Sequence, residues 1–246
     1  MSIIYKDIPY INDENSLHTL DISLPEDGDI KSAFIYIHGG GIESGEKEFP
    51  CGGFLEENGI AIFANNYRMY HDAKYPEFIE DCASAVSWVF NNAEKYGIPK
   101  DKIFIGGSSA GGYISAMLCF DGKYLKKHGI SVTDIAGFIH DAGQMSTHFN
   151  VLRERGIPDG TRRVIVDEAA PLFHIGLSEK YPPMMFFASD NDMPNRIEQI
   201  LLSVSTLNHF GHEKAEYKIM ENTHHCSYDH DRSFGEIILD FIKKYM

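Results

Sequence analysis

Apolar positions in this chain change period from segment to segment, and the changes mark its elements. In "SIIYKDI" (2–8) and "LHTLDISL" (17–24) apolar and polar residues alternate, the period of strands with one covered face. "SAFIYIHGGG" (32–41) and "GIAIFANNY" (59–67) begin as continuous apolar runs, the pattern of strands buried on both faces. In "PEFIEDCASAVSWVFNNAEKYG" (76–97), Phe78, Cys82, Ala85, Val86, Val89 and Ala93 recur at helical spacing between a proline and a glycine. "DKIFIGG", "DIAGFIHDAG", "PPMMFFASDND" and "AEYKIMEN" read as further strands. "AGGYISAMLCF", "PNRIEQILLSVSTLNHFG" and "RSFGEIILDFIKKYM" read as helices, the last with Phe234, Ile237, Ile238, Phe241 and Ile242 on one face.

Strand and helix alternate after residue 59, so the expected fold class is α/β, a mostly parallel sheet with helices on both faces. The opening strands predict an antiparallel edge. No repeat, linker or low-complexity tract divides the chain, so a single domain over 1–246 is expected. Only 141–183 is long and irregular, the size of a small cap or lid insertion.

Open parallel sheets bind ligands beyond the carboxyl ends of their strands. The polar clusters His38 to Gly41, Ser108-Ser109, Asp141, Asp190/Asp192 and His224/His225 each follow directly after an expected strand. Five such clusters at one edge describe an active site.

Composition narrows the partners. With 22 basic against 36 acidic residues the formal charge is −14, which argues against nucleic acid or an anionic membrane as partner. No apolar run is long enough for a membrane span, and "MSIIYKDIPYINDE" lacks the pattern of a secretory leader. Cys51, Cys82, Cys119 and Cys226 show no CxxC spacing, so reduced thiols and a cytoplasmic location are expected. His209, His212, His224, His225, His230 and Cys226 lack metal-ligand spacing and read as surface residues, so no metal is expected.

"GSSAG" (107–111) fits G-x-S-x-G with Ser109 at its centre, between strand and helix. A sharp bend there exposes the serine oxygen, and small neighbours let the chains approach. A phosphate loop would need Lys at Gly112, and a dinucleotide fingerprint would need glycine at Ser108. "HGGG" (38–41) places consecutive glycines after a strand, where backbone N–H groups can face a developing oxyanion. A carboxylate at Asp190 or Asp192 and an imidazole at His224 or His225 would complete a nucleophilic triad.

HGGG, then "NYR" (66–68), then GxSxG, in this order and near this spacing, resemble the α/β-hydrolase superfamily, most closely its hormone-sensitive-lipase-like and small acetyl esterases. The resemblance covers 33–246 and implies the chain order Ser109, Asp192, His225. By the family pattern Asp192, not Asp190, follows the Pro-Pro-started strand, and Asn222 stands in a glycine place that counts to His225. The implied oxyanion donors are the amides of Gly40, Gly41 and Ala110. With 37 residues before HGGG, the resemblance is to compact members, and the large amino-terminal cap of bigger lipases is not expected.

Tyr67 and Arg68 are expected to brace the HGGG loop, and Tyr113 to lie in the core. Met145, Phe149, Leu172 and Phe173 are expected to line an acyl pocket or pack the insertion onto the sheet, at least two of them packing. The implied activity is serine carboxylesterase action on small-molecule esters of short acyl groups, with no cofactor. The alternatives are an amide-cleaving member, such as an arylformamidase or small peptidase, and a non-catalytic binding protein.

Overall fold

In the computed structural model, which describes residues 2–26 and 28–246, eight strands form one sheet flanked by helices on both faces. The chain runs through β1 (Ile3–Pro9), β2 (Thr19–Leu24), β3 (Ser32–Ile37), α1 (Gly52–Glu56), β4 (Ile60–Asn65) and α2 (Glu77–Asn92). It continues through β5 (Ile103–Ser108), α3 (Ala110–Phe120), α4 (Lys123–Lys126), β6 (Gly137–Asp141), α5 (Phe149–Glu154) and α6 (Pro171–His174). The last elements are β7 (Met184–Asn191), α7 (Arg196–His209), β8 (Ala215–His224) and α8 (Arg232–Tyr245).

The strand order is β1-β2-β4-β3-β5-β6-β7-β8. β1 and β2 pair antiparallel and β2 joins β4 antiparallel, whereas β4 to β8 run parallel. That is the α/β-hydrolase fold.

The apolar strands supply two cores at once. Ala33, Ile35 and Ile37 of β3 enter the core on one face, and Phe34 and Tyr36 enter the other. Neighbouring residues point to opposite faces of a strand, so a sheet covered on both sides needs apolar residues at every position. β3, β4 and β5 are accordingly buried throughout.

Helix α3 is also buried along its whole length, which explains why its sequence shows no polar face. It lies on the sheet beneath α2 and α6. On the opposite sheet face α8 buries Phe234, Ile238, Phe241 and Ile242, with Phe234 against Phe187 and Phe241 against Phe104. Among the described residues no helix is long and apolar enough to cross a membrane.

Within 141–183, residues 141–148 and 150–152 are buried, so this part of the segment is packed into the body of the protein. Met145 is fully buried and Leu172 packs against the same core, with the Leu172 amide donating to the Met145 carbonyl at 3.0 Å. Phe149 is half-buried and Phe173 is exposed. Tyr113 is buried as expected, and its hydroxyl donates to the Ala169 carbonyl at 2.8 Å, tying the segment to α3. The four cysteines are free, three of them buried.

Candidate active site

β5 ends at Ser108 and α3 begins at Ala110, leaving Ser109 alone to turn the chain. Its φ of 55° and ψ of −112° lie where side chains other than glycine are rarely found, a strain of roughly 1–3 kcal/mol that the surroundings must hold. They do so on both sides: the Ser109 amide donates to the Asp141 carbonyl at 2.7 Å, and its carbonyl accepts from Tyr113 at 3.0 Å. The motif glycines answer to close approach. A Cβ on Gly107 would sit 2.4 Å from the Ile37 carbonyl oxygen, and one on Gly111 would sit 1.9 Å from it.

His225 Nε2 lies 2.8 Å from Ser109 Oγ, and its Nδ1 lies 2.6 Å from Asp192 Oδ1. The Asp192 side chain is 1% exposed. Burial alone would raise its pKa, but the His225 hydrogen bond and the amides of Ser189 and Met193 hold it below the ordinary carboxylate value. A carboxylate accepting from three donors stays ionised and fixes the ring that faces it. Asp190 is exposed and instead accepts from the amides of Asn222 and Thr223 at 2.8 and 3.0 Å.

His224 closes β8 opposite Asn191 and is exposed. The strand therefore runs two residues further than its apolar pattern suggests. Asn222, with φ of 58°, breaks the register just before it, in the left-handed region that Asn tolerates. His209 and His230 are exposed, and His212 is partly exposed.

The HGGG loop is held from beneath. His38 stacks on Tyr67 with ring centroids 4.4 Å apart, and the Tyr67 hydroxyl donates to the His38 carbonyl at 2.9 Å. Burial pushes the His38 pKa down to about 4, so the ring is neutral and its Nδ1–H donates to the Gly39 carbonyl at 2.8 Å. Tyr67 thus braces the loop as expected. Arg68 does not. Its guanidinium and amide bind Asp81 on α2, at 2.8 to 3.0 Å, because that buried carboxylate is the anion the fold brings beside it.

The amides of Gly40, Gly41 and Ala110 donate to no acceptor among the described residues. One residue in this loop's environment has no sequence signal: Asn150, whose Nδ2 donates to the Gly41 carbonyl from α5. A single asparagine in an irregular segment looks like any surface asparagine. The neighbouring Phe149 ring would lie 3.4 Å from a Cβ on Gly41.

A hydroxyl on an imidazole, an imidazole on a buried carboxylate and free amides nearby can together perform nucleophilic acyl transfer.

A family model described as BD-FAE matches residues 20–203. The ethyl acetate hydrolase of Pseudomonas putida is 28% identical over 109 residues, which cover 41% of this chain and 34% of that protein. An isoprenylcysteine alpha-carbonyl methylesterase of Arabidopsis thaliana is 29% identical over 137 residues, 54% of this chain and 30% of that protein. The chain thus spans about a third or less of the length of these curated relatives.

Among solved structures, a truncated carbohydrate esterase from gut microbiota superposes with a TM-score of 0.78 at 20% identity, covering 99% of this chain and 96% of that one. Esterase B of Lactobacillus Rhamnosis gives a TM-score of 0.79 at 15% identity, covering 99% and 85%. At such identities the likeness is one of fold.

Proposed function

Since the chain belongs to the BD-FAE family, we propose that it is a serine carboxylesterase acting on esters of short acyl groups through Ser109, His225 and Asp192. The observation that carries this reading is the pair of contacts from one ring, 2.8 Å to Ser109 Oγ and 2.6 Å to Asp192 Oδ1. The Ser109 oxygen attacks the ester carbonyl carbon as its proton passes to His225 Nε2. Asp192 holds Nδ1 protonated and offsets the charge on the ring. The amides of Gly40, Gly41 and Ala110 receive the negative charge that forms on the carbonyl oxygen. The alcohol leaves with the proton, and a water activated by the same imidazole releases the acid and restores Ser109.

The short-acyl preference draws support from the Phe149 ring beside the oxyanion loop, which narrows the space there. It also draws support from the ethyl acetate hydrolase among the relatives. On this reading 141–183 forms the wall of the substrate site and opens little, because its first part is buried.

Purified protein treated with a fluorophosphonate should be labelled on the peptide carrying Ser109, and Ser109→Ala should abolish both labelling and turnover. Ser108→Ala should retain both. A panel of esters from acetyl to dodecanoyl should show kcat/KM falling with chain length. Faster cleavage of an N-formyl aniline than of any ester would move the activity to the amide class. An unlabelled, inactive wild-type protein would leave a binding role instead.

A further inference from the structure

Behind the imidazole lies a group of buried and half-buried side chains that the proton transfers above do not use. Asp141, at the end of β6, is 1% exposed. It touches both halves of the catalytic arrangement, since its carbonyl accepts the Ser109 amide at 2.7 Å and its carboxyl accepts the Tyr228 hydroxyl. Tyr228 and Asp229 stand three and four residues after His225, in the turn that follows β8. The carboxyls of Asp141 and Asp229 and the thiol of Cys226 place ligand-type atoms within 4.8 Å of one another. Asp229 Oδ1 is buried and meets no donor among the described residues.

Two carboxylates cannot donate to each other. Left ionised side by side, they repel and Asp229 Oδ1 has no donor among the described residues; with one proton between them, one donates and the other accepts.

We propose that Asp141 and Asp229 share one proton, and that this carboxyl pair is a positioning device that clamps the His225 turn onto the Ser109 bend.

The groups facing the pair agree with a single proton. Tyr36 from β3, Ser108 from β5, Cys51 ahead of α1, and Cys226 and Tyr228 from the turn all bear on it. Burial pushes the Tyr36, Cys51, Cys226 and Tyr228 groups up, so they remain neutral donors at pH 7. Arg196 of α7, 4% exposed, is a nearby positive charge that faces Asp192 as well as Asp141, so it cannot offset two further ionised carboxylates. Burial, and then the Asp141 charge, push the Asp229 carboxyl up to about 9, and burial likewise raises Asp141.

The sign follows from the raised folded value. The stability held by the pair is complete below the ordinary carboxylate pKa of about 3.9, and is lost as pH rises through about 9 and the proton leaves to solvent.

Asp229→Asn places an amide donor where the proton would be, so it should restore the clamp and keep it closed at alkaline pH. Asp229→Ala removes the partner. The inference rests on the esterase reading for its kinetic readout, so a second readout is independent of activity. Hydrolysis of ethyl acetate followed by pH-stat should show wild-type kcat falling about tenfold as pH rises from 8 to 10, with KM nearly constant, given the tenfold change per pH unit above a controlling pKa. Asp229→Asn should stay within about threefold over that range, and Asp229→Ala should lose about tenfold in kcat at pH 7.

The infrared spectrum of the wild-type protein at pH 7 should contain a protonated-carboxyl band that Asp229→Asn removes. A missing band, or an Asp229→Asn profile that follows the wild-type alkaline fall, overturns the proposal. A band with no hydrolysis of any ester leaves the shared proton standing and overturns the esterase reading and, with it, the positioning role. Thermal unfolding at pH 7 separates a lost clamp from a lost fold in Asp229→Ala.

Discussion

Asp190 and Asp192 stand two residues apart and hold different parts of the protein: Asp192 binds the His225 ring, whereas Asp190 caps the amides of Asn222 and Thr223. Asp192→Asn removes the acceptor that keeps Nδ1 protonated, so kcat should fall by up to about ten-thousandfold with little change in KM. Asp190→Asn keeps one acceptor oxygen for the loop and should stay within about tenfold. Steady-state kinetics on one short-chain ester checks both, and a mild Asp192→Asn would reassign the acid.

The two adjacent histidines should separate as sharply. His225→Ala should remove nearly all turnover, since no other ring lies beside Ser109 Oγ among the described residues. His224→Ala removes only an exposed side chain, and the hydrogen bonds of that residue to Ser189 and Ser227 run through its main chain. It should remain within about tenfold of wild type in kcat/KM. Loss of activity in His224→Ala with an unchanged melting temperature would contradict the assignment.

Gly40 and Gly41 should respond differently to an added methyl. At Gly40 a Cβ would lie 2.0 Å from the Ser44 carbonyl oxygen at a φ of +97°. At Gly41 the nearest atom is the Phe149 ring at 3.4 Å, with φ of +67°. Gly40→Ala must therefore move the loop, and loss of one oxyanion donor costs roughly 2.7–4 kcal/mol, about a hundred- to a thousandfold in kcat. Gly41→Ala should lose less. Wild-type turnover in Gly40→Ala would take this loop out of the reaction.

Acid should destabilise the protein before any carboxylate titrates in its ordinary range. Burial pushes His38 down to about 4 and His140 and His148 down to about 3, so all three fold neutral. The unfolded chain takes up protons on them near the ordinary value of 6.5. Their contribution is complete above that pH and is lost as pH falls toward 4 and 3, at about 1 kcal/mol per pH unit for each ring. Chemical denaturation at pH 7, 6 and 5 should show this slope, and His140→Asn should flatten it by about one third. A pH-independent midpoint would mean that these rings are solvated.

Much of the fold is legible because its causes are local. The alternation holds in β2, where Leu20, Ile22 and Leu24 are buried, but not in β1, an edge strand whose Ile3, Ile4 and Tyr5 are exposed; the unbroken apolar runs that follow need cover on both faces. Arg68 shows where that reasoning stops. Its charge demands a partner, but Asp81 becomes that partner only because α2 packs beside the strand end.

What the sequence by itself determines is the backbone that can make the site: glycines where Gly107 and Gly111 must pass the Ile37 carbonyl, and a serine at the bend between them. Residue type cannot separate two equal carboxylates or two equal imidazoles; the family pattern favours Asp192 and His225, and the tertiary structure is what brings that pair, and not Asp190 or His224, into line with Ser109. Asp190 and Asp192 are the same chemical group, as are His224 and His225. Their surroundings diverge where the pairing of β7 with β8 is irregular after Ser189: His225 reaches Ser109 Oγ, and Asp192 reaches the His225 ring. Asn150 belongs to the same category, since a hydrogen bond across 109 residues leaves no periodic trace in the chain that makes it.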